Sequence, residues 1–178
     1  ELTAGGNFQQ SLNALNTVRS IPNDLADVIF ITTIANNKKS LNNYGIDALI
    51  YRPSLISRVC LWLRRKMPFI LFNLFKKISP ANYLERFLYI HKINLVYFTS
   101  QSLLAEYLEN TNYIYTLYDL CHRDQPEFPE VSSYRNFENR ESHFKRVLAK
   151  ATAVFVESEL GAKNAINRYA LDDTRVHA

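Results

Sequence analysis

Four glycines and six prolines in 178 residues are too few turn formers for a many-turned β-sandwich, and they favour helices alternating with strands. Cysteine is scarcer still. Cys60 and Cys121 lie on separate segments without a CxxC spacing, and together with four scattered histidines they give no metal signature, so no metal site is expected and a reducing, cytoplasmic setting fits best. No apolar run approaches the roughly 20 residues needed to cross a bilayer, and the first residues do not have the pattern of a signal peptide. What the chain does have is apolar and aromatic mass. A hydrophobic fraction of 47% with 13% aromatics excludes a disordered tail, and the length suits one domain with a substantial core.

Charge is unevenly spread. Residues 54 to 92 carry eight Lys or Arg against the single acid Glu85, a local balance of +7 that leaves −3 for the rest of a chain whose formal charge is +4. Within that stretch Arg58 and Arg65 are seven residues apart and share a helix face, Trp62, Phe69, Phe72 and Phe75 supply large apolar bodies, and Pro68 kinks or divides the helix. Two readings stand side by side. Arg58, Trp62, Arg65 and Lys66 meet an anionic membrane surface, or the segment is an ordinary amphipathic helix with its basic face in water. Basic side chains interleaved with aromatics on a recognisable nucleic-acid module are missing, so nucleic acid is not an expected partner.

Along the chain, apolar and β-branched runs alternate with helical periodicity. Gly5-Gly6 forms a loop, and Asn7 caps a helix whose apolar positions are Phe8, Leu12, Leu15 and Val18. A glycine pair at a helix start offers bare amides and a positive dipole end to a phosphate, although it also serves as a plain turn. Such a loop normally follows a strand, so the chain reads as trimmed at its front. Residues 27 to 34 read as a strand covered on both faces, 35 to 40 as a polar turn, and Leu41 and Tyr44 as a short helix that stops at Gly45. Further strands are expected at 47 to 51, 94 to 99, 113 to 118, 153 to 156 and from 174. Helices are expected around 83 to 91, near 103 to 108, from a Ser133 cap onward, and from a Ser158 cap onward. No hairpin signature appears, so the fold class is α/β, a Rossmann-like, mostly parallel sheet with helices on both faces.

The stretch YIYTLYDLCHRDQPEFP, Tyr113 to Pro129, is where chemistry concentrates. A buried strand ends at Asp119 and passes into a segment bearing His122, Arg123, Asp124 and Glu127, and the carboxyl ends of such strands are where α/β proteins bind ligands. Cys121, beside Asp119 and His122, reads as a packed bystander thiol in preference to a nucleophile. Arg140 and Glu141 read as surface or supporting charges on the following helix.

The run LYDLCHRDQPEFPE, the Arg-bearing helix NRESHFKRVLAKA, the segment AVFVESELGAKNAINRYAL and the final DDTRV resemble the N-terminal half of family-4 glycosyltransferases of the GT-B fold. In one branch of that family the segment reads His-Asp-Leu, a variable residue, His, and then Pro-Glu. Asp119, Leu120, His122, Pro126 and Glu127 match it, Glu157-Ser158 matches a further turn, and Gly5-Gly6 fits the glycine loop. The likeness covers most of residues 1 to 22 and 94 to 176 and is weak over 35 to 93. Tyr118 stands where the family has its first His, and a phenol does not titrate near neutral pH.

The resemblance implies a sugar-nucleotide donor held mainly by a second, C-terminal domain, an acceptor held by this one, retaining chemistry and no required metal or cofactor. By similarity, Gly5, Gly6 and Asn7 approach the donor diphosphate. Tyr118, Asp119 and His122 face the reacting sugar and acceptor, with Arg123, Glu127, Glu157 and Ser158 near them. The expectation is therefore the acceptor-side domain, residues 1–178, of a transferase acting on a lipid-linked or surface polysaccharide precursor, cytoplasmic or peripheral on a bacterial inner membrane, and inactive without its other half. The alternative is a non-catalytic Rossmann-like module that binds a glycan or a membrane surface.

Overall fold

The computed structural model describes residues 6–56, 59, 81–129 and 133–178. Gly5, Arg58, Trp62, Arg65 and Lys66 lie outside them, as do Pro68 and the expected kinked helix around it. Leu55, Ile56 and Val59, which are described, are exposed. The chain divides into two compact units, residues 1–92 and 93–178.

In the first unit α1 (Gly6–Arg19) is followed by β1 (Phe30–Thr32), α2 (Ala35–Asn43), β2 (Ala48–Ile50) and α3 (Ala81–Ile90). β1 and β2 pair in parallel, Phe30 opposite Ala48 and Thr32 opposite Ile50. Leu41, Ile46 and Ala48 form a buried cluster, with Leu15 and Phe30 packed against it. Three expectations are corrected here. α1 spans Gly6–Arg19, so Asn7 lies within the helix and not at the position before it. The stretch from 35 is helix and not a turn, because Leu41 anchors the segment in the core and tertiary packing overrides its polar propensity. The strand expected over 27 to 34 shrinks to three residues, with Ile29 and Ile34 both exposed.

The stop at Gly45 is as expected and is built in full. Gly45 sits at φ 70, its amide donates to the Asn42 carbonyl at 3.0 Å, and the Ile46 amide donates to the Leu41 carbonyl at 3.0 Å. That double bond is a Schellman motif, and its usual apolar contact is supplied by Leu41 and Ile46.

The second unit runs β3 (Leu95–Phe98), a 3₁₀ turn (Leu103–Tyr107), β4 (Asn112–Leu117), a one-turn α4 (Cys121–Asp124), a 3₁₀ turn (Ser133–Arg135), α5 (Asn136–Lys150), β5 (Ala153–Val156), α6 (Glu159–Tyr169), a 3₁₀ turn (Asp173–Arg175) and β6 (Val176–His177). The four strands lie in chain order and all pair in parallel. This is the α/β, Rossmann-like class. The expected helix near 103 to 108 is the short 3₁₀ turn, capped by Ser102, whose hydroxyl accepts from the Leu104 amide at 3.2 Å. Ser133 opens a 3₁₀ turn and does not cap α5, which starts after a left-handed Arg135 at φ 62.

β4 is buried on alternate residues. Tyr113, Tyr115 and Leu117 face α5, whose Phe144, Val147 and Leu148 are fully buried at helical spacing. The Tyr113 hydroxyl donates to the Val147 carbonyl at 2.7 Å, which locks strand to helix and leaves no polar atom of that phenol unsatisfied.

The left-handed backbone at Gly45 yields a direct expectation. A Cβ there meets nothing closer than the Arg19 guanidinium at 3.5 Å, so Gly45→Ala costs only the strain of positive φ, about 1 kcal/mol. Urea denaturation is expected to show a lower midpoint with an unchanged slope, and Gly45→Asn is expected to lose less.

Candidate functional site

Parallel pairing fixes where the strands end. Phe98 sits opposite Tyr115 and Leu117 opposite Val156, so the residues that follow β3, β4 and β5 leave the sheet along one edge. Asp119 lies on that edge, two residues past β4. Its Oδ1 accepts from the Cys121 amide at 2.9 Å, which turns the chain into α4, and the same oxygen accepts from the Arg140 guanidinium of α5. The side chain is 40% exposed. Burial works against its charge, but the Cys121 amide and the Arg140 guanidinium outweigh it and hold the carboxyl below its ordinary value. Asp119 is therefore ionised throughout the physiological range. Burial and the neighbouring Asp119 carboxylate push the Cys121 thiol up, which disfavours the nucleophilic thiolate.

Behind that edge stands a carboxylate with four partners. Glu141, on α5, accepts from Arg123 through both oxygens, at 2.9 Å from Nε to Oε2 and by a second bond to Oε1. The Tyr169 hydroxyl of α6 donates to Oε2 at 3.1 Å, His122 Nε2 lies 3.2 Å from the same oxygen, and Lys145 Nζ lies 3.2 Å from Oε1. A forked Arg–carboxylate pair of this kind is the strong sort of ion pair. It holds the Glu141 carboxyl down at about 2 against the burial that opposes it. Burial, with the Glu141 charge beside it, raises the Tyr169 phenol to about 12.

His122 is fully buried, its ring 5.4 Å from the rings of both Phe137 and Phe144. Burial, reinforced by the Arg140 and Arg123 charges and opposed by Glu141, lowers its pKa and favours the neutral imidazole. Because Oε2 of Glu141 is an acceptor, the contact is favourable only with the hydrogen on Nε2. That assignment makes Nδ1 a bare acceptor, and it has no hydrogen-bond partner among the described residues.

Several expectations about individual residues change. His122 does not face the edge, because aromatic packing and Glu141 draw it inward. Tyr118 is also buried, and its hydroxyl donates to the Thr99 carbonyl, so the phenol ties β4 to the end of β3 and is not presented to a ligand. Arg123 is spent on Glu141 and lies 5.3 Å over the Tyr169 ring. Ser158 caps α6 as expected, accepting from the Gly161 amide at 3.1 Å. Glu127 and Glu157 are exposed. Gly6 and Asn7 belong to the other compact unit. Of the residues expected at the site, Asp119, His122 and Arg123 are brought together by α5.

Arg140 and Glu141 are the residues the sequence reading undervalued. Arg140 is four residues before Phe144 and so sits on the margin of the inward stripe, where a charge needs a partner, and that spacing was the available signal. A second buried network was missed altogether. His143 Nδ1 lies 2.6 Å from Glu106 Oε1, its Nε2 lies 2.8 Å from the Tyr115 hydroxyl, and Arg146 Nε lies 3.2 Å from Glu106 Oε2. Among the described residues no group of three or more His, Cys, Asp or Glu is placed to hold a metal, and no helix is long and apolar enough to cross a membrane.

Comparison with protein-family models, with curated proteins and with solved structures found no match.

The depressed Glu141 carboxyl sets a pH dependence. Its folded pKa lies below its ordinary 4.5, so its contribution is complete above about pH 5 and is lost as pH falls toward about 2. His122 acts in the same direction, since a group that stays neutral when folded resists the proton that the unfolded chain accepts below its ordinary 6.5. Glu141→Gln is expected to cost on the order of 2–3 kcal/mol at pH 7 and to flatten the loss of stability between about pH 5 and 2. Guanidinium denaturation of both proteins across that range checks it. Parallel stability curves would contradict the assignment.

Proposed function

We propose that this chain is the acceptor-side domain of a sugar-nucleotide-dependent glycosyltransferase of the GT-B fold, acting on a lipid-linked or surface polysaccharide precursor. The observation that carries the reading is Asp119, an ionised and partly exposed carboxylate held by Arg140 at the carboxyl edge of a parallel sheet, where ligands of α/β proteins bind. The resemblance of residues 117 to 130 and of the helices that follow supports it.

In this reading catalysis is positional and electrostatic. Asp119 holds an acceptor hydroxyl near the anomeric carbon of a donor sugar. His122 and Tyr118 act from behind, fixing the segment that carries Asp119. The sugar nucleotide is held mainly by a second Rossmann-like domain. Retention at the anomeric centre follows from the family likeness, as does activity without a metal.

The test is transfer from radiolabelled sugar nucleotides by the gene product that joins this domain to its donor-binding partner. Asp119→Asn is expected to lower transfer about a hundredfold while leaving the fold intact. The 178 residues alone are expected to turn over no sugar nucleotide. Transfer unaffected by Asp119→Asn would sink the role given to that carboxylate, and glycan binding with no transfer by any form would assign the non-catalytic module instead.

A further inference from the structure

The Asp119 carboxylate is used unevenly. Both the Cys121 amide and the Arg140 guanidinium engage Oδ1, the Cys121 thiol also bonds to the carboxylate, and Oδ2 stands outside the amide and guanidinium bonds on a side chain that is 40% exposed. Arg140 is itself held in place, with its guanidinium 5.9 Å from the centre of the Phe144 ring and that ring fully buried. The pair thus runs from the core of the second unit out to the sheet edge. The one-turn α4 between them is fixed at its far end too, by the Arg168–Asp124 ion pair from α6.

We propose that Arg140 is a positioning residue that makes Asp119 a fixed, one-oxygen hydroxyl anchor, with Oδ2 accepting a hydrogen from a neutral polyol such as a sugar. This inference rests on the carbohydrate reading of the edge. Two chemical points favour a hydroxyl over an anion. A carboxylate oxygen accepts hydrogen bonds and repels phosphate. The guanidinium that could attract phosphate is 25% exposed and already turned onto Oδ1. The pairing also gives Asp119 a task other than general base. A carboxylate held ionised by an amide and a guanidinium is too weak a base to take a proton from a hydroxyl near neutral pH, but it orients that hydroxyl well. Arg140 reaches the ligand only through Asp119.

The experiment has two arms, both on the 178-residue chain. The first follows the Asp119 carboxyl carbon by NMR during acid titration in wild type, Arg140→Lys and Arg140→Gln. It should titrate below ordinary aspartate in wild type, move upward in Arg140→Gln, and stay closer to wild type in Arg140→Lys, which keeps the charge but loses the planar fork. An arginine not paired with Asp119 would leave that titration in place, and an unmoved Asp119 in a folded Arg140→Gln protein overturns the assignment. The second arm measures saturation transfer from the protein to a panel of methyl hexosides, with inorganic phosphate as the contrasting probe. Binding of at least one hexoside is expected, about tenfold weaker in Asp119→Asn and in Arg140→Gln, with phosphate causing no change at Asp119. No hexoside binding by wild type, hexoside binding indifferent to Asp119→Asn, or phosphate binding at Asp119 would each overturn the anchor. Neither arm requires glycosyl transfer. An anchor that passes both in a protein that transfers nothing leaves the inference standing and the transferase reading fallen.

Discussion

The second unit depends on one carboxylate. Glu141 reaches from the N-terminal half of α5 to a side chain of α4 through Arg123, to a second through His122, and to α6 through Tyr169, so a single, largely covered charge ties three helices together. A lone carboxylate in that position would be strongly unfavourable. It is tolerable because Arg123 meets it through two bonds and the remaining lone pairs are met by a phenol, an imidazole and the Lys145 ammonium. The geometry also explains why His122 is neutral and buried. Arg123 and Lys145 already face Glu141 and Arg140 faces Asp119, so a further cation among them would find no carboxylate of its own.

From that constraint the sheet edge follows. α4 is only four residues long and has too few internal bonds to hold its own shape. Asp119 is tied to Arg140, His122 and Arg123 to Glu141, and Asp124 to Arg168, so every ionisable side chain from 119 to 124 other than the Cys121 thiol is engaged by α5 or α6. The segment therefore behaves as part of the helical layer. On the proposed reading this suits a site whose contribution is positional, since the ordering of the segment is complete before any ligand arrives.

Much of the layer pattern was legible from the residues. Strands from Leu95, Asn112 and Ala153, the stripe of Phe144, Val147 and Leu148, the Ser158 cap and the Gly45 stop all rest on local periodicity or local backbone chemistry, which a sequence states directly. The failures share a cause as well. The first part of α2, residues 35 to 40, was read as a turn because it is mostly polar, whereas the burial of Leu41 draws the whole segment into the helix. His122 was placed at the edge because a histidine after a strand end suggests chemistry, whereas its burial depends on Phe137, Phe144, Glu141 and Tyr169, between 15 and 47 residues away. Contacts of that range leave no periodic trace. The Glu106, His143 and Tyr115 network is the extreme case, spread over a 3₁₀ turn, a helix and a strand, and invisible until α5 is laid across β4.

The two polar networks divide the labour of α5. Its C-terminal half is pinned to the sheet by Tyr113 donating to the Val147 carbonyl and by His143 lying between Glu106 and Tyr115. Its N-terminal half carries Arg140 and Glu141 outward to the segment after β4. Rotating a helix by one residue turns every side chain by about 100°, so the buried pins in the second half fix which way Arg140 and Glu141 point in the first. The register of Asp119 is thus decided more than 20 residues along the chain. Packing in the interior and the chemistry of the edge are one problem in this unit, and α5 is where they meet.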